Sequence, residues 1–281
     1  MRPIDPAYVA AAVAVLSIGF PKATALFWQS ALDRLRAFGG NAEAGVPIGH
    51  LLMADDKAVG VILTPARMRT RPDGTRQKIV NLSSWYIDPA HRWRAPVMLR
   101  AVTRDADALY TDLTPTLEVQ KMLPAFGFKP INRGLKRLFT PFKALAVRLS
   151  GRVRDLKSVP AGSVAEPTHA LLESHRALDC LPCALKAGER WHPLMFKARR
   201  VRRLPAAELV YCEDHALLER HMAAVARYLL RRGKLFLIIE DRTSMSDGEQ
   251  LEPQPGLRFV KGGHDPSRTD YAGSELCILG V

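Results

Sequence analysis

The sequence predicts an α+β fold in which helices pack on a mixed sheet, in αβα layers. Three observations lead to this class. Residues 22–38 carry a helical apolar stripe, residues 48–64 predict a strand hairpin, and residues 79–87 are rich in β-branched and aromatic side chains. A helix, a hairpin and a long strand in this order are typical of a sheet that combines antiparallel and parallel neighbours.

The segment after this strand, within residues 81–128, predicts a turn, a helix, a strand and a second helix. The Asp-Pro pair at 88–89 ends the long strand. Pro96 suits the first turn of a helix, because a backbone N–H has no helical partner there. Residues 108–112 predict the short strand. Gly127 ends the second helix as a left-handed cap.

This order of elements and its basic turn resemble the core of the GNAT superfamily of acyl-CoA N-acyltransferases. In that family a strand ending in hydrophobic-x-Pro is followed by Arg/Gln-x-x-Gly-x-Gly/Ala. The resemblance implies that free backbone N–H groups at a helix N-terminus hold the pyrophosphate of acyl-CoA or acetyl-CoA. The residues that it assigns to this cofactor site are Ile87, Arg92, Arg94, Ala95 and Val97.

The turn departs from the family pattern at both glycine positions, which hold Ala95 and Val97. Side chains at these positions narrow the approach that a phosphate needs. Pro96 removes one backbone donor. Further along, the positions of the family's asparagine and general-acid tyrosine hold Thr116 and Leu123. The resemblance therefore implies the fold and the cofactor site, and it assigns no catalytic residue.

The second half of the chain predicts a repeat of the first. Residues 207–212 predict a strand, residues 218–229 keep one helical apolar face, and the apolar run 234–240 predicts a strand buried on both faces. We therefore expect two GNAT-like modules. The first covers residues 1–145 and carries the degenerate acyl-CoA-binding turn, and a more divergent one covers residues 146–281.

Four further segments are assigned to these modules. Residues 131–142 predict the last strand of the first module, and residues 257–260 and 275–279 predict the last strands of the second. The apolar run 8–20 follows an arginine, as in a leader peptide, but Asp5 and two prolines precede it and it is too short to span a bilayer. We expect it to belong to the folded first module of a cytoplasmic protein without a transmembrane segment.

The chain is strongly basic, with 41 Lys and Arg against 28 Asp and Glu, a net charge of +13 and a pI near 9.9. Such a charge suits nucleic acid, anionic lipid, acidic polysaccharide or a phosphorylated cofactor. No signature of a nucleic-acid-binding module accompanies it, so we expect no specific nucleic-acid partner. The densest basic run, residues 197–203, predicts either a site for an anionic group or an edge strand protected by charge.

The four cysteines include Cys180 and Cys183, which have the spacing of a redox or metal motif. No second set of ligands and no strand–helix context for a redox site accompany them. We expect buried, reduced thiols and no metal site.

Two functions remain open at the level of sequence. The first is an acyltransferase that moves an acyl group from acyl-CoA to an amine or hydroxyl acceptor; Tyr110 and Asp112 end a strand beside the expected cofactor site, and Tyr110 is a candidate proton donor. The second is a non-catalytic GNAT-like protein that binds an anionic partner such as a polysaccharide or another protein, which the filled glycine positions favour.

Overall fold

The computed structural model describes residues 1–71, 73–145, 151–243 and 251–280. The strands are β1 (Arg2–Pro3), β2 (Gly49–Ala54), β3 (Lys57–Leu63), β4 (Ala66–Thr70), β5 (Arg76–Ile87), β6 (Leu109–Asp112), β7 (Lys129–Pro130), β8 (Leu135–Phe139), β9 (Arg152–Asp155), β10 (Cys180–Ala187), β11 (Arg190–Val201), β12 (Leu204–Cys212), β13 (Phe236–Glu240), β14 (Phe259–Lys261) and β15 (Thr269–Asp270). The helices are α1 (Val9–Gly19), α2 (Ala25–Phe38), α3 (Asn41–Ala44), α4 (Ala95–Val102), α5 (Leu117–Met122), α6 (Thr140–Leu145), α7 (Glu166–Ser174), α8 (His215–Arg220), α9 (Met222–Arg231) and α10 (Glu275–Ile278).

The chain divides into two compact units. The first comprises Met1–Ile131 with the described parts of Ser244–His264 and Gly273–Val281, and the second comprises Asn132–Thr243 and Asp265–Ala272. This division differs from the predicted one, because the end of the chain contributes to both units.

Each unit is built on its own mixed sheet, and the two sheets repeat one strand order. The first runs β1-β2-β3-β5-β6-β14-β7, and the second runs β9-β10-β11-β12-β13-β8. In both, four antiparallel strands are followed by one parallel pair, β5–β6 in the first and β12–β13 in the second. The next strand is antiparallel again, β14 or β8. The sheets thus support the predicted duplication through their topology.

The sixth strand of each sheet comes from the other half of the chain, which the sequence prediction missed. Residues 131–142 contain β8, but β8 pairs with β13 in the second sheet. Residues 257–260 overlap β14, but β14 pairs with β6 in the first sheet. Residues 275–279 were predicted as a strand and instead form α10, because Ser274 caps a helical turn by accepting the N–H of Leu276. An apolar tetrapeptide fits either element when it is buried on all sides.

Local signals explain most of the helices and turns of the first unit. The Thr24 Oγ1 accepts the N–H of Phe27 and so begins α2, whose buried face includes Trp28 and Leu32. Gly127 has the left-handed backbone that ends the helical segment after α5. The apolar run 8–20 contains α1, whose Ala12, Val15 and Leu16 are buried in the first unit. Among the described residues, none of the helices has the length and apolar character needed to cross a bilayer.

A buried amide connects three elements of the first unit. Asn81, on β5, is 2% exposed. Its Nδ2 donates to the carbonyl oxygen and to Oγ1 of Thr111 on β6, at 3.3 and 3.1 Å. Its Oδ1 accepts the N–H of Glu275 on α10, at 3.0 Å. One side chain therefore fixes α10 to the parallel strand pair.

We predict that Asn81→Ala lowers the free energy of unfolding by about 2–3 kcal/mol, because it leaves buried polar groups on two neighbouring elements without their partner. Urea unfolding measures this loss, and Thr70→Ala, at an exposed position of β4, is the matched control. Equal midpoints for the two variants would contradict the role assigned to Asn81.

Candidate active site

The parallel pair of the first sheet opens partway along its length. Residues of β5 and β6 are paired from Ile79–Leu109 to Leu82–Asp112. There β6 ends, while β5 continues to Ile87 beside β3. The pairing of β5 on this side therefore stops, which leaves room between its last residues and the chain that follows β6.

A β-bulge lies at the point where the two strands part. Val61 pairs with Tyr86 and Leu63 pairs with Ser83, so two residues of β5 lie opposite one residue of β3. One of them, Ser84, has a φ of +48°, which is uncommon for a residue other than glycine. A bulge turns the backbone of its strand locally and exempts one residue from the ladder. Backbone outliers of this kind cluster at functional sites, so Ser84 directs attention to this part of the sheet.

A pocket of about 430 Å³ lies at this opening. Its walls come from the α1–α2 connection and α2, from the bulged end of β5, from the chain between β6 and α5, and from Gly280. The aromatic rings on the helical side pack on one another, with centroids 5.4 Å apart for Phe20 and Trp28 and 5.2 Å apart for Phe27 and Trp28. The pocket joins an aromatic wall to a polar floor that includes Ser83, Ser84, Asp112 and Thr114.

Asp112 supplies a buried carboxyl to this floor. It is the last residue of β6 and only 7% exposed. Burial raises the pKa of Asp112 well above its ordinary value, and the nearby charge of Glu275 raises it further, against a hydrogen bond from the Thr114 N–H. Glu275 is fully buried, and its Oε1 accepts from Thr114 Oγ1 at 3.1 Å. Burial therefore favours the protonated form of Asp112, which can donate a hydrogen.

The turn assigned to the cofactor follows β5 directly. Ile87 is buried in the core, and Asp88 caps a 3-10 turn over Pro89–Arg94 that leads into α4. The N–H of Ala95 donates to the Arg92 carbonyl oxygen. The first donor of α4 is therefore engaged within the chain, and Pro96, the next residue, has none.

The arginines of this turn differ in their surroundings. Arg92 is exposed. Arg94 donates from Nη1 to the Met53 carbonyl oxygen at 3.0 Å, and its guanidinium lies 5.5 Å from the centre of the Trp93 ring. Val97 is 65% exposed at the start of α4. The turn thus presents positive side chains and fewer free backbone donors than a helix N-terminus ordinarily offers.

Tyr110, the candidate proton donor of the sequence analysis, does not line the pocket. Its hydroxyl oxygen accepts the N–H of Asp105, and its ring packs in the core of the first unit. Leu123 is likewise buried, whereas Thr116 caps α5 and lines the pocket. The bulge at Ser84 was missed because a Ser-Ser pair within an apolar run is no specific signal. The contacts of Glu275 with Thr114 and Asn81 could not be predicted, because they join residues far apart in the sequence.

The cysteines have no part in this site. All four are free and buried, with Cys180 and Cys183 on β10. Burial raises the pKa of Cys183 and so disfavours its reactive thiolate. Across the part of the chain that the structure describes, no group of histidine, cysteine and acidic side chains could hold a metal ion.

The sequence matches no protein-family model and no curated protein. Its structure is similar to a GCN5-related N-acetyltransferase from Anabaena variabilis, with a TM-score of 0.55 and 9% identity over 92% of this chain and 71% of that one. It is also similar to Eis1 from Mycobacterium abscessus, with a TM-score of 0.51 and 13% identity over 92% of this chain and 73% of that one. For a GCN5-related N-acetyltransferase from Kribbella flavida, the TM-score is 0.50 and the identity is 12%, over 92% of this chain and 69% of that one. Together with the strand order, these likenesses show that the chain has a GNAT-like fold.

Proposed function

We propose that the protein is an acyltransferase that moves an acyl group from acyl-CoA to an amine or hydroxyl acceptor. The observation that carries the proposal is the coincidence, at one end of the first sheet, of parted strands, a bulge at Ser84 and a pocket that contains the buried carboxyl of Asp112, whose pKa is raised. Ligands of open α/β sheets gather at the carboxyl ends of the strands. The proposal places the thioester between β5 and the chain after β6, and the acceptor against the aromatic wall.

We assign the pyrophosphate of acyl-CoA or acetyl-CoA to the turn after β5, the segment that contains Ile87, Arg92, Arg94, Ala95 and Val97. Because Ala95 and Pro96 offer no free backbone donor, side-chain charge has to do most of the binding. Arg92 is exposed and available for a charge-assisted hydrogen bond to a phosphate. The turn therefore suits the anion through its arginines more than through its backbone.

The chemistry of transfer requires positioning, an oxyanion partner and two proton movements. The neutral amine or hydroxyl attacks the thioester carbonyl carbon, and its new bond to carbon forms as the carbonyl oxygen becomes negative. A backbone N–H at the bulge supplies the hydrogen bond to that oxygen. When the carbon–sulfur bond breaks, Asp112 protonates the departing thiolate, and its carboxylate then accepts the proton that the acceptor atom loses.

A second candidate function is a non-catalytic protein that uses the same basic turn to bind an anionic partner such as a polysaccharide. The engaged N–H of Ala95 favours it, because a backbone phosphate cradle needs free donors. The two functions differ in whether acyl-CoA binds and in whether its thioester is cleaved. As an enzyme, the protein is proposed to act in the cytoplasm on an amine or hydroxyl acceptor whose identity is open.

We predict that Arg92→Ala weakens acetyl-CoA binding at least tenfold, about 1.5 kcal/mol, because it removes a hydrogen bond between charged groups. Titration calorimetry measures the change. Arg100→Ala, at an exposed position of α4, is the control and should bind as the wild type does. Val97→Gly should bind equally or more tightly, because it widens the approach to the turn. Failure of both wild type and Val97→Gly to bind acetyl-CoA or longer acyl-CoA would reject the enzyme proposal.

We predict that Asp112→Asn slows transfer about 100-fold or more, the contribution typical of a general acid, and leaves acyl-CoA binding unchanged. Release of the CoA thiol with a panel of polyamines and arylamines measures the rate. Asp107→Asn, at an exposed position, is the control. An Asp112→Asn variant with the wild-type rate would exclude the assigned role.

The same substitution should change the pH dependence of stability. The pKa of Asp112 is raised in the folded state, so the stability that this group contributes is fully present below its unfolded pKa of about 4 and is lost as pH rises through the folded value. Asparagine cannot ionise and avoids this loss. We expect Asp112→Asn to gain in urea midpoint over the wild type as pH increases from 5 to 9, whereas a constant difference would contradict the raised pKa.

A further inference from the structure

The basic run at residues 197–203 separates into buried and exposed members. Lys197 is buried and donates to the Leu178 carbonyl oxygen. Arg199 forms an ion pair with Glu208, with Nε and Oε2 2.8 Å apart. The exposed members are Arg200, Arg202 and Arg203. They lie at the β11–β12 hairpin, at one end of the second sheet.

This hairpin places two arginines in an unfavourable backbone conformation. Val201 pairs with Leu204, so Arg202 and Arg203 form a two-residue turn, and their φ angles are +46° and +71°. Positive φ at both positions defines a type I′ turn, which favours Asn-Gly or Asp-Gly. In the β2–β3 hairpin the equivalent positions hold Asp55 and Asp56, a residue type that tolerates this region. Long basic side chains at a position that disfavours them suggest a selected function.

A basic hollow lies beside the turn. It has a volume of about 500 Å³ and is lined by Ala198, Arg199, Arg200, Pro205 and Lys234. Lys234 precedes β13, whose Phe236 pairs with Ala206, two residues after Leu204 on β12. Positive charges from two neighbouring segments thus lie together at one end of these strands. Asp179 is exposed. Its backbone lies near these charges, because its carbonyl oxygen accepts the N–H of Ala198.

Large apolar side chains are exposed at the same end of the sheet. Phe139 pairs with Phe236 across β8 and β13, and its ring centroid lies 5.5 Å from that of Phe142 on α6. Phe142 is 74% exposed. Leu204, next to the arginine turn, is 44% exposed. Exposed aromatic and leucine side chains flanked by cations are typical of a surface that contacts a bilayer.

We propose that this end of the second unit docks on an anionic lipid bilayer. The docking surface consists of Arg200, Arg202, Arg203, Leu204 and Phe142. Its arginines attract the phosphates of acidic headgroups, and its apolar side chains enter the interface between headgroups and acyl chains. A nucleic acid would use the arginines but would gain little from the exposed Leu204. The proposal is independent of acyl transfer.

The hairpin provides a test that leaves the fold intact. Arg202→Asn with Arg203→Gly creates the preferred residues of a type I′ turn, so the double variant should fold at least as stably as the wild type. Sedimentation with vesicles of phosphatidylcholine and phosphatidylglycerol measures binding. We expect the affinity to fall about 30-fold, since each lost arginine contributes a severalfold factor. Vesicles of phosphatidylcholine alone should bind the wild type weakly.

A matched double variant removes the same charge elsewhere in the second unit. Arg190→Gln with Arg220→Gln changes two exposed arginines, and Arg190 begins β11, about 36 Å from the end of that strand at Val201. It should keep wild-type binding. Equal losses in the two double variants would overturn the proposal, because they would show attraction by net charge alone.

The apolar part of the surface is tested separately. Phe142→Ser should lower vesicle affinity about tenfold without changing the charge, as expected for one side chain withdrawn from an apolar environment. Leu26→Ser, at a 76% exposed position of α2, is the control. Wild-type affinity in Phe142→Ser, no binding of the wild type to anionic vesicles, or tighter binding to a DNA duplex that the arginine double variant also loses would each overturn the proposal.

Discussion

The candidate site depends on how β5 is paired. Its pairing with β6 ends at Leu82 and Asp112, while its pairing with β3 continues to Ile87 through the bulge at Ser84. A strand paired on one side only must find other partners for its backbone groups on the open side, or leave them to a ligand or to water. The pocket lies at this one-sided part of β5, and the basic turn follows it directly.

The two carboxyl groups buried at the open end of the parallel pair lower the stability of the fold there. Burial raises the pKa of Asp112, and the nearby charge of the buried Glu275 raises it further. Like charges in such surroundings destabilise the folded state unless one of them is protonated. The hydrogen bond from the Thr114 hydroxyl to Glu275 and the one from the Glu275 N–H to Asn81 Oδ1 hold the elements around them in place. A strained or costly arrangement kept at a pocket is consistent with a selected chemical role.

In the duplicated fold, each half of the chain contributes one strand to the sheet of the other half. The sixth strand of the first sheet, β14, follows the second module in sequence, and the sixth strand of the second sheet, β8, precedes it. Neither sheet is complete without a strand from the other half. This exchange explains why a division of the chain at residue 145 separates strands from the sheets to which they belong.

The sequence by itself determined the elements whose signals are local. The Thr24 cap, the left-handed Gly127 and the apolar run of β13 predict their elements because capping, turn geometry and burial period act over a few residues. The order of these elements carried the resemblance that predicted a GNAT-like fold. Tertiary structure decided which sheet received β8 and β14, whether residues 275–278 became a helix, and how near Asp112 lies to Glu275. Those outcomes depend on contacts between residues distant in the chain, and a burial pattern specifies that a side chain is covered without specifying what covers it.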